Sequence, residues 1–299
     1  MVKIAWHPLY AHPLPEGHRF PMLKYELIPE QLLYEGVIQA DQLFAAEPVE
    51  EEVVLWSHAA NYWEQLKTLT LPEREQRRIG FPLTEQLLDR ELRITQGTID
   101  GALSALDTGL AFNVAGGTHH AGSNWGEGFC LLNDQAVAAN YLLRKGLASR
   151  ILIIDLDVHQ GNGTAELLSK EPRAFTFSMH GEKNFPFRKE QSDLDLGLED
   201  ETEDDLFLSK LKGVLPGLLG HRPDFVFYLS GVDVLKSDKL GKLALTKAGC
   251  RERDELVFQF CKRNGLPVQV SMGGGYSPEI RDIVDAHCNT FKVGLDILG

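Results

Sequence analysis

Cysteine is scarce in this chain, and the scarcity restricts the architecture before any motif is read. The four cysteines, Cys130, Cys250, Cys261 and Cys288, show no C-x-x-C spacing and lie in or beside apolar segments, so neither a disulfide framework nor a cysteine-built zinc site is implied. A reducing compartment fits. Long apolar runs are missing as well: no segment approaches the roughly 18 apolar residues that would span a bilayer, and the opening Met-Val-Lys-Ile-Ala-Trp-His lacks a signal peptide's apolar core. A soluble cytoplasmic protein with no membrane partner is expected. Positive charge is in short supply, 30 Lys and Arg against 43 Asp and Glu, for a net charge of -13. That balance argues against an electrostatic grip on nucleic acid, and it favours a cationic over an anionic charged substrate. Neither G-x-G-x-x-G nor a P-loop pattern occurs, so phosphate binding does not account for the glycines.

What is present fills one large core. With 299 residues, 43% of them hydrophobic, and no linker-like stretch, the chain is expected to form a single domain over residues 1–299. The central stretch is Ile151-Leu-Ile-Ile-Asp-Leu-Asp-Val-His-Gln-Gly-Asn-Gly163. Ile151 to Ile154 read as a strand buried on both faces, which ends as Gly161 and Gly163 break the pattern. Alternation along a strand predicts that Asp155, Asp157 and His159 point to one side, where unpaired carboxylates are costly to bury. A cation resolves that cost, and Asp-x-His offers one hard oxygen and one borderline nitrogen, a set suited to zinc.

Along the chain, Val2 to Trp6 reads as a first strand and Met22 to Glu35 as helical, with a break at Pro29. His7, His12 and His18 are too irregularly spaced for a metal cluster. Glu85 to Leu106 predicts one or two amphipathic helices, and Asn133 to Leu143 an alanine-rich helix capped near Asn133. Leu110 to Ala115, Ala174 to Met179, Asp224 to Ser230 and Val268 to Met272 are further strands. The acidic run from Asp193 to Asp205 reads as a solvated turn leading into a helix, and Phe291 to Leu298 as a last strand. Strands alternating with helices imply a parallel sheet covered on both faces, with functional groups beyond the strands' carboxyl ends. Four strands run into His119-His120, Asp157-x-His159, Asp233 and Tyr276.

Asp157, His159 and Asp233 make a three-ligand set that leaves a position open, as catalytic zinc requires. His119 and His120 suit proton transfer, and Tyr276, after Gly273 to Gly275, carries the O–H needed to stabilise an oxyanion. Each feature has a plainer explanation alone, as a solvated strand end or a packed loop tyrosine; their joint arrival at strand ends does not.

These motifs, Gly-Gly-Thr-His-His, Asp-Leu-Asp-Val-His-Gln-Gly-Asn-Gly, Gly-Val-Asp and Gly-Gly-Gly-Tyr, in this order, resemble the zinc-dependent histone deacetylase family, most like its class IV branch. The resemblance implies a three-layer α/β/α arginase-like fold with a mainly parallel central sheet. It also implies a zinc-dependent amidohydrolase that removes acetyl or longer acyl groups from lysine side chains of a protein or peptide. Asp157, His159 and Asp233 match its zinc ligands, His119 and His120 its histidine pair, and Tyr276 its carbonyl-polarising tyrosine. Asp155 matches the carboxylate behind the first histidine, and Asn162 stands where class I members carry an aspartate behind the second. Asp155, Asp157, His159, Ser178 and Met179 match a structural monovalent-cation site, usually potassium. Gly128, Phe129, Phe187 and Leu240 match the acyl-lysine channel, with Phe185 competing for the place of Phe187, and Arg19 matches an internal-channel arginine. A binuclear manganese ureohydrolase would need a carboxylate where Gly161 stands, and a non-catalytic binding module would have lost a ligand or Tyr276. The remaining alternative is an acetylpolyamine amidohydrolase, for which Glu127 near the pocket would attract cations.

Overall fold

Runs of branched aliphatic residues become the inner strands of one sheet in the computed structural model, which describes residues 1–299. The order is β1 (Lys3–Ala5), α1 (Lys24–Tyr34), β2 (Leu43–Phe44), α2 (Glu51–Val54), α3 (Ala60–Lys67), α4 (Glu73–Ile79), α5 (Glu85–Thr108), β3 (Leu110–Asn113), α6 (Asp134–Lys145), β4 (Ile151–Asp155), α7 (Asn162–Leu168), β5 (Ala174–Gly181), β6 (Leu194–Leu198), α8 (Asp204–Leu218), β7 (Phe225–Ser230), α9 (Lys247–Asn264), β8 (Val268–Met272) and α10 (Ile280–Leu298). All eight strands pair in parallel, in the order β2-β1-β3-β8-β7-β4-β5-β6. Strands β3, β4, β7 and β8 are buried at every residue, as a sheet covered on both faces demands.

The two covering layers can be read from one strand. Gly101 of α5 lies against Ala111, while Gly294 of α10 lies against Phe112, and neighbouring residues of a strand point to opposite faces. Helices α5 and α6 pack together on one side, and α9 packs between α8 and α10 on the other. One continuous apolar core, from Val2 to Val293, joins the three layers. Helix starts are capped where the sequence offers a side chain: Thr84, Asn133 and Thr246 accept the N–H three residues on, from Leu87, Ala136 and Gly249. No helix is long and apolar enough to cross a membrane.

The sheet order carries the functional argument. The four strands that end in His119-His120, Asp157-x-His159, Asp233 and Tyr276 are β3, β4, β7 and β8, which are immediate neighbours in the order β3-β8-β7-β4. Parallel strands lie about 4.8 Å apart, so their carboxyl ends deliver these groups to one small region.

Four expectations need correction. Phe291 to Leu298 is the end of helix α10 and not a strand. Its alternation of Phe291, Val293, Leu295 and Ile297 mimics a strand, but Ile283, Val284, His287, Cys288 and Phe291 continue a helical stripe that is buried. The acidic run contains the edge strand β6, paired with β5 from Phe177↔Leu194 to Gly181↔Leu198. Strand β4 stops at Asp155, so strand alternation does not orient Asp157 and His159.

Pro29 does not break α1. It removes the N–H that would bond to the carbonyl of Tyr25, and the Trp6 indole N–H donates to that carbonyl instead, at 2.8 Å. Trp6→Phe is therefore expected to destabilise the fold by about 1 kcal/mol beyond its packing loss. Pro29→Ala in that background should recover part of the loss by restoring a donor; urea denaturation of the single and double variants measures both.

Candidate active site

Beyond Asp155 the chain is held by its own carboxylates. Asp155 Oδ1 accepts the N–H of Asp157 at 3.1 Å, and Asp157 Oδ1 accepts that of His159 at 3.0 Å. These side chain-to-backbone turns aim Asp157 and His159 where strand alternation does not. Asp233, after β7, accepts the N–H of Val158 at 3.0 Å and so ties its loop to the same segment. The result brings together three residues named from the sequence. His159 Nδ1 lies 3.1 Å from Asp157 Oδ1 and 3.2 Å from Asp233 Oδ2, and one donor atom from each of the three lies within 4.8 Å of the others. Gly274 makes room for the cluster, since a Cβ there would overlap the Asp233 carboxylate.

Such crowding perturbs every member. Burial and the Asp157 charge push Asp233 up to about 7. Burial works against a charge on His159, but Asp157 and Asp233 outweigh it and raise its pKa to about 10. One positive charge among these donors offsets the paired carboxylates, a task a divalent cation does best, and two carboxylates with one imidazole fit a metal such as zinc.

The histidine pair has its ring centroids 4.1 Å apart, and the two environments differ. His119 Nδ1 meets Asp155 Oδ2 at 2.7 Å; burial opposes a charge there, but Asp155 and Asp157 hold the pKa above the ordinary value. His120 Nδ1 meets Asn162 Oδ1 at 2.7 Å, and burial with the charges of His119 and His159 holds it well below the ordinary value. The amide of Asn162 is oriented by its other end, whose Nδ2 donates to Glu127 Oε1 at 2.7 Å, while Glu127 Oε2 accepts from Arg78 at 2.6 Å. With its oxygen facing His120, Asn162 places the imidazole proton on Nδ1 and leaves Nε2 as the acceptor. Glu127, the residue expected to attract polyamine cations, is buried and occupied by these two partners.

Tyr276 is set by Asp238, whose Oδ2 accepts its backbone N–H at 2.6 Å while Oδ1 accepts from Leu240 and Gly241. Tyr276, His119, His120, Asp157 and His159 line one inner cavity of about 40 Å³. Above it, an outer cavity of about 390 Å³ shares His120, His159 and Tyr276 and is walled by Gly128, Phe129, Phe185, Phe187 and Leu240. Phe185 meets the His120 ring edge-on at 4.9 Å and lines the outer cavity together with Phe129. Phe187, 91% exposed, stands at the rim. Gly128, at φ +56°, has no room for a Cβ because the His120 ring lies against it. Asp155 is paired in register with Ser178, next to Met179 on β5, so that expected cluster also adjoins Asp157 and His159.

Arg19 is misassigned by the sequence. It is exposed, lies over the Phe129 ring at 5.1 Å and lines the outer cavity. The cations of the inner cavity are Lys24 and Arg90, which nothing in the sequence singles out. Asp134 escaped notice in the same way: it reads as a helix start, yet its carboxylate collects Thr98, Thr118 and Ser271 and so holds the turn that carries His119. His12 and His18 both pack against Phe81, while His7 Nδ1 accepts the N–H of Leu9. His18 bonds Phe20 and Gly80, and His12 packs edge-on against Phe81.

A family model described as histone deacetylase domain matches residues 18–291. An uncharacterized protein of Picosynechococcus sp. is 45% identical, with 98% of each chain covered. Histone deacetylase 2 of Arabidopsis thaliana is 29% identical over 93% of this chain and 75% of its own. Acetoin utilization protein AcuC of Staphylococcus aureus is also 29% identical, over 88% of this chain and 73% of its own. Among solved structures, the HDA15 HD domain has a TM-score of 0.82 at 21% identity, covering 98% of this chain and 91% of that one. A histone deacetylase homologue complexed with SAHA has a TM-score of 0.80 at 25% identity, covering 97% and 82%.

Lys24 generates a prediction. It is 1% exposed, its Nζ donates to Gly273 O at 3.2 Å, and no carboxylate forms an ion pair with it; burial lowers its pKa to about 8. A group whose charged form is disfavoured on folding weakens the fold while it is charged in both states. Lys24→Met should accordingly raise stability by about 1–2 kcal/mol at pH 7. The gain is full below pH 8 and fades toward the ordinary lysine value of 10.5, a trend calorimetry across that range would record.

Proposed function

The chain belongs to the histone deacetylase family, and from that premise we propose that it is a zinc-dependent amidohydrolase that removes acetyl or longer acyl groups from lysine side chains. The observation that carries the reading is the meeting of Asp157, His159 and Asp233 within 4.8 Å at the floor of a cleft that also holds Tyr276 and the His119–His120 pair. Asp157, His159 and Asp233 would hold the metal. A bound zinc supplies Lewis acidity toward the amide carbonyl and toward water.

The remaining chemistry falls to the chain. Phe129, Phe185 and Leu240 take the methylene stem of the acyl-lysine and exclude water from it. His120, neutral and with Nε2 free to accept, takes the proton of the attacking water and returns it to the departing amine. At His119 burial opposes a charge, but Asp155 and Asp157 favour the protonated ring, which supports negative charge in the transition state. Tyr276, whose phenol is pushed well above its ordinary pKa by burial, keeps its proton and donates it as a hydrogen bond to the carbonyl oxygen as that oxygen becomes an oxyanion. The corner formed by Asp155, Asp157, His159, Ser178 and Met179 suits a structural potassium ion. The lysine reading is supported over the polyamine alternative because the carboxylate the latter would use, Glu127, is already bound to Arg78 and Asn162.

Two substitutions separate the roles. Tyr276→Phe should keep its zinc, by elemental analysis, and lose about 10²–10³-fold in kcat on an acetyl-lysine peptide. Turnover near that of the unaltered protein would remove the oxyanion role. Asp233→Ala should lose the metal together with activity, and zinc retained at one per chain would reject the ligand set.

A further inference from the structure

The mouth of the cleft has the opposite charge to the chain. Acidic residues outnumber basic ones 43 to 30 overall, yet the outer cavity is lined by Arg19, Arg78, Lys183 and Lys242 and by no carboxylate. Neighbouring acids answer only part of that charge. Glu127 pairs with Arg78, and Glu199 and Asp200 approach Lys183 at 3.7 and 3.9 Å from outside the cavity. Arg19 and Lys242 have no carboxylate within 4 Å: Arg19 lies over the Phe129 ring, and Lys242 Nζ donates to the backbone carbonyl of Lys183. Their charges stand beside a partly apolar wall, where fields are screened less than over open water.

We propose that this cationic mouth selects acyl-lysine substrates carrying an anionic side chain, aspartate or glutamate, next to the acylated residue, and disfavours acylated polyamines. The inference rests on the deacylase reading for the position of the scissile amide below Phe129 and Phe185. An extended acyl-lysine reaching that depth leaves its flanking residues at the level of Arg19 and Lys242. An acidic neighbour meets two unpaired cations there, and a protonated amine meets repulsion from the same groups. It reverses the expectation from overall charge, that a charged substrate would be cationic.

The test uses the zinc-loaded protein and three acetyl-lysine peptides identical except for flanking Glu, Gln or Lys, together with N-acetylspermidine. At low salt kcat/KM should favour the Glu peptide over the Lys peptide by about tenfold, and the ratio should shrink at high salt. In the double variant Arg19→Gln with Lys242→Gln the ratio should fall to within about twofold. Both residues are exposed, so folding is not at risk. Equal or reversed preference, a ratio untouched in the double variant, or N-acetylspermidine turned over faster than the Glu peptide overturns the proposal. If no peptide is turned over, the deacylase reading fails by itself. The charge selection is then decided by fluorescence anisotropy of the same labelled peptides: tighter, salt-sensitive binding of the Glu peptide that is lost in the double variant sustains it, and equal binding ends it.

Discussion

Two carboxylates buried side by side demand a positive charge between them, and most of the molecule is arranged around that demand. Asp157 and Asp233 are shielded from water, and neither has a lysine or arginine within ion-pair distance. His159 answers both directly and His119 approaches Asp157 at 3.8 Å, yet burial and the Asp157 charge still hold Asp233 above its usual pKa. An arrangement this costly persists only where the surrounding structure determines it, and here the determination comes from both covering layers.

Arg253 of α9, fully buried, donates to the carbonyl of Leu156, the residue before Asp157, and to that of Gly231, two before Asp233. One guanidinium thus ties together the two loops whose carboxylates repel each other. Its own charge is balanced by Asp254, which also accepts from Tyr228 and Thr290. From the other layer, Asp134 at the start of α6 gathers donors from α5, from the turn before His119 and from β8. Removing one partner of either network would leave a buried charge without compensation, the costliest kind of core defect. The site's precision therefore comes from polar clamps behind it, while the apolar core supplies most of the stability.

Legibility in the sequence followed distance along the chain. Asp157 and His159 could be read because they adjoin the strand that carries them, and the parallel sheet could be read from alternating strand and helix patterns. Residues whose importance depends on a remote partner could not. Lys24 is 249 residues from the carbonyl it bonds, Asp134 is 137 from Ser271, and Arg253 is 97 from Leu156. Local pattern also misled where two periods coincide. The alternating apolar residues of α10 satisfy a strand, and only the stripe that begins at Ile283 reveals the helix. Pro29 misled for a related reason, because the donor that replaces its missing N–H comes from Trp6, outside the helix.

The treatment of the second histidine follows from the same electrostatics. Two imidazoles whose centres are 4.1 Å apart cannot both take a second proton without large mutual repulsion. An aspartate behind His120 would pull it toward the charged state that Asp155 favours at His119. Asn162 orients the ring with equal geometric strictness and adds no net charge, so His120 stays a neutral acceptor. A carboxylate is nevertheless present, one residue further back, in Glu127, and its charge is largely spent on the half-exposed guanidinium of Arg78. The polarity of Asn162 is thus fixed by a charge kept too distant and too well balanced to protonate the base. A difference in one amide, followed outward to the surface, separates the roles of two histidines adjacent in the chain.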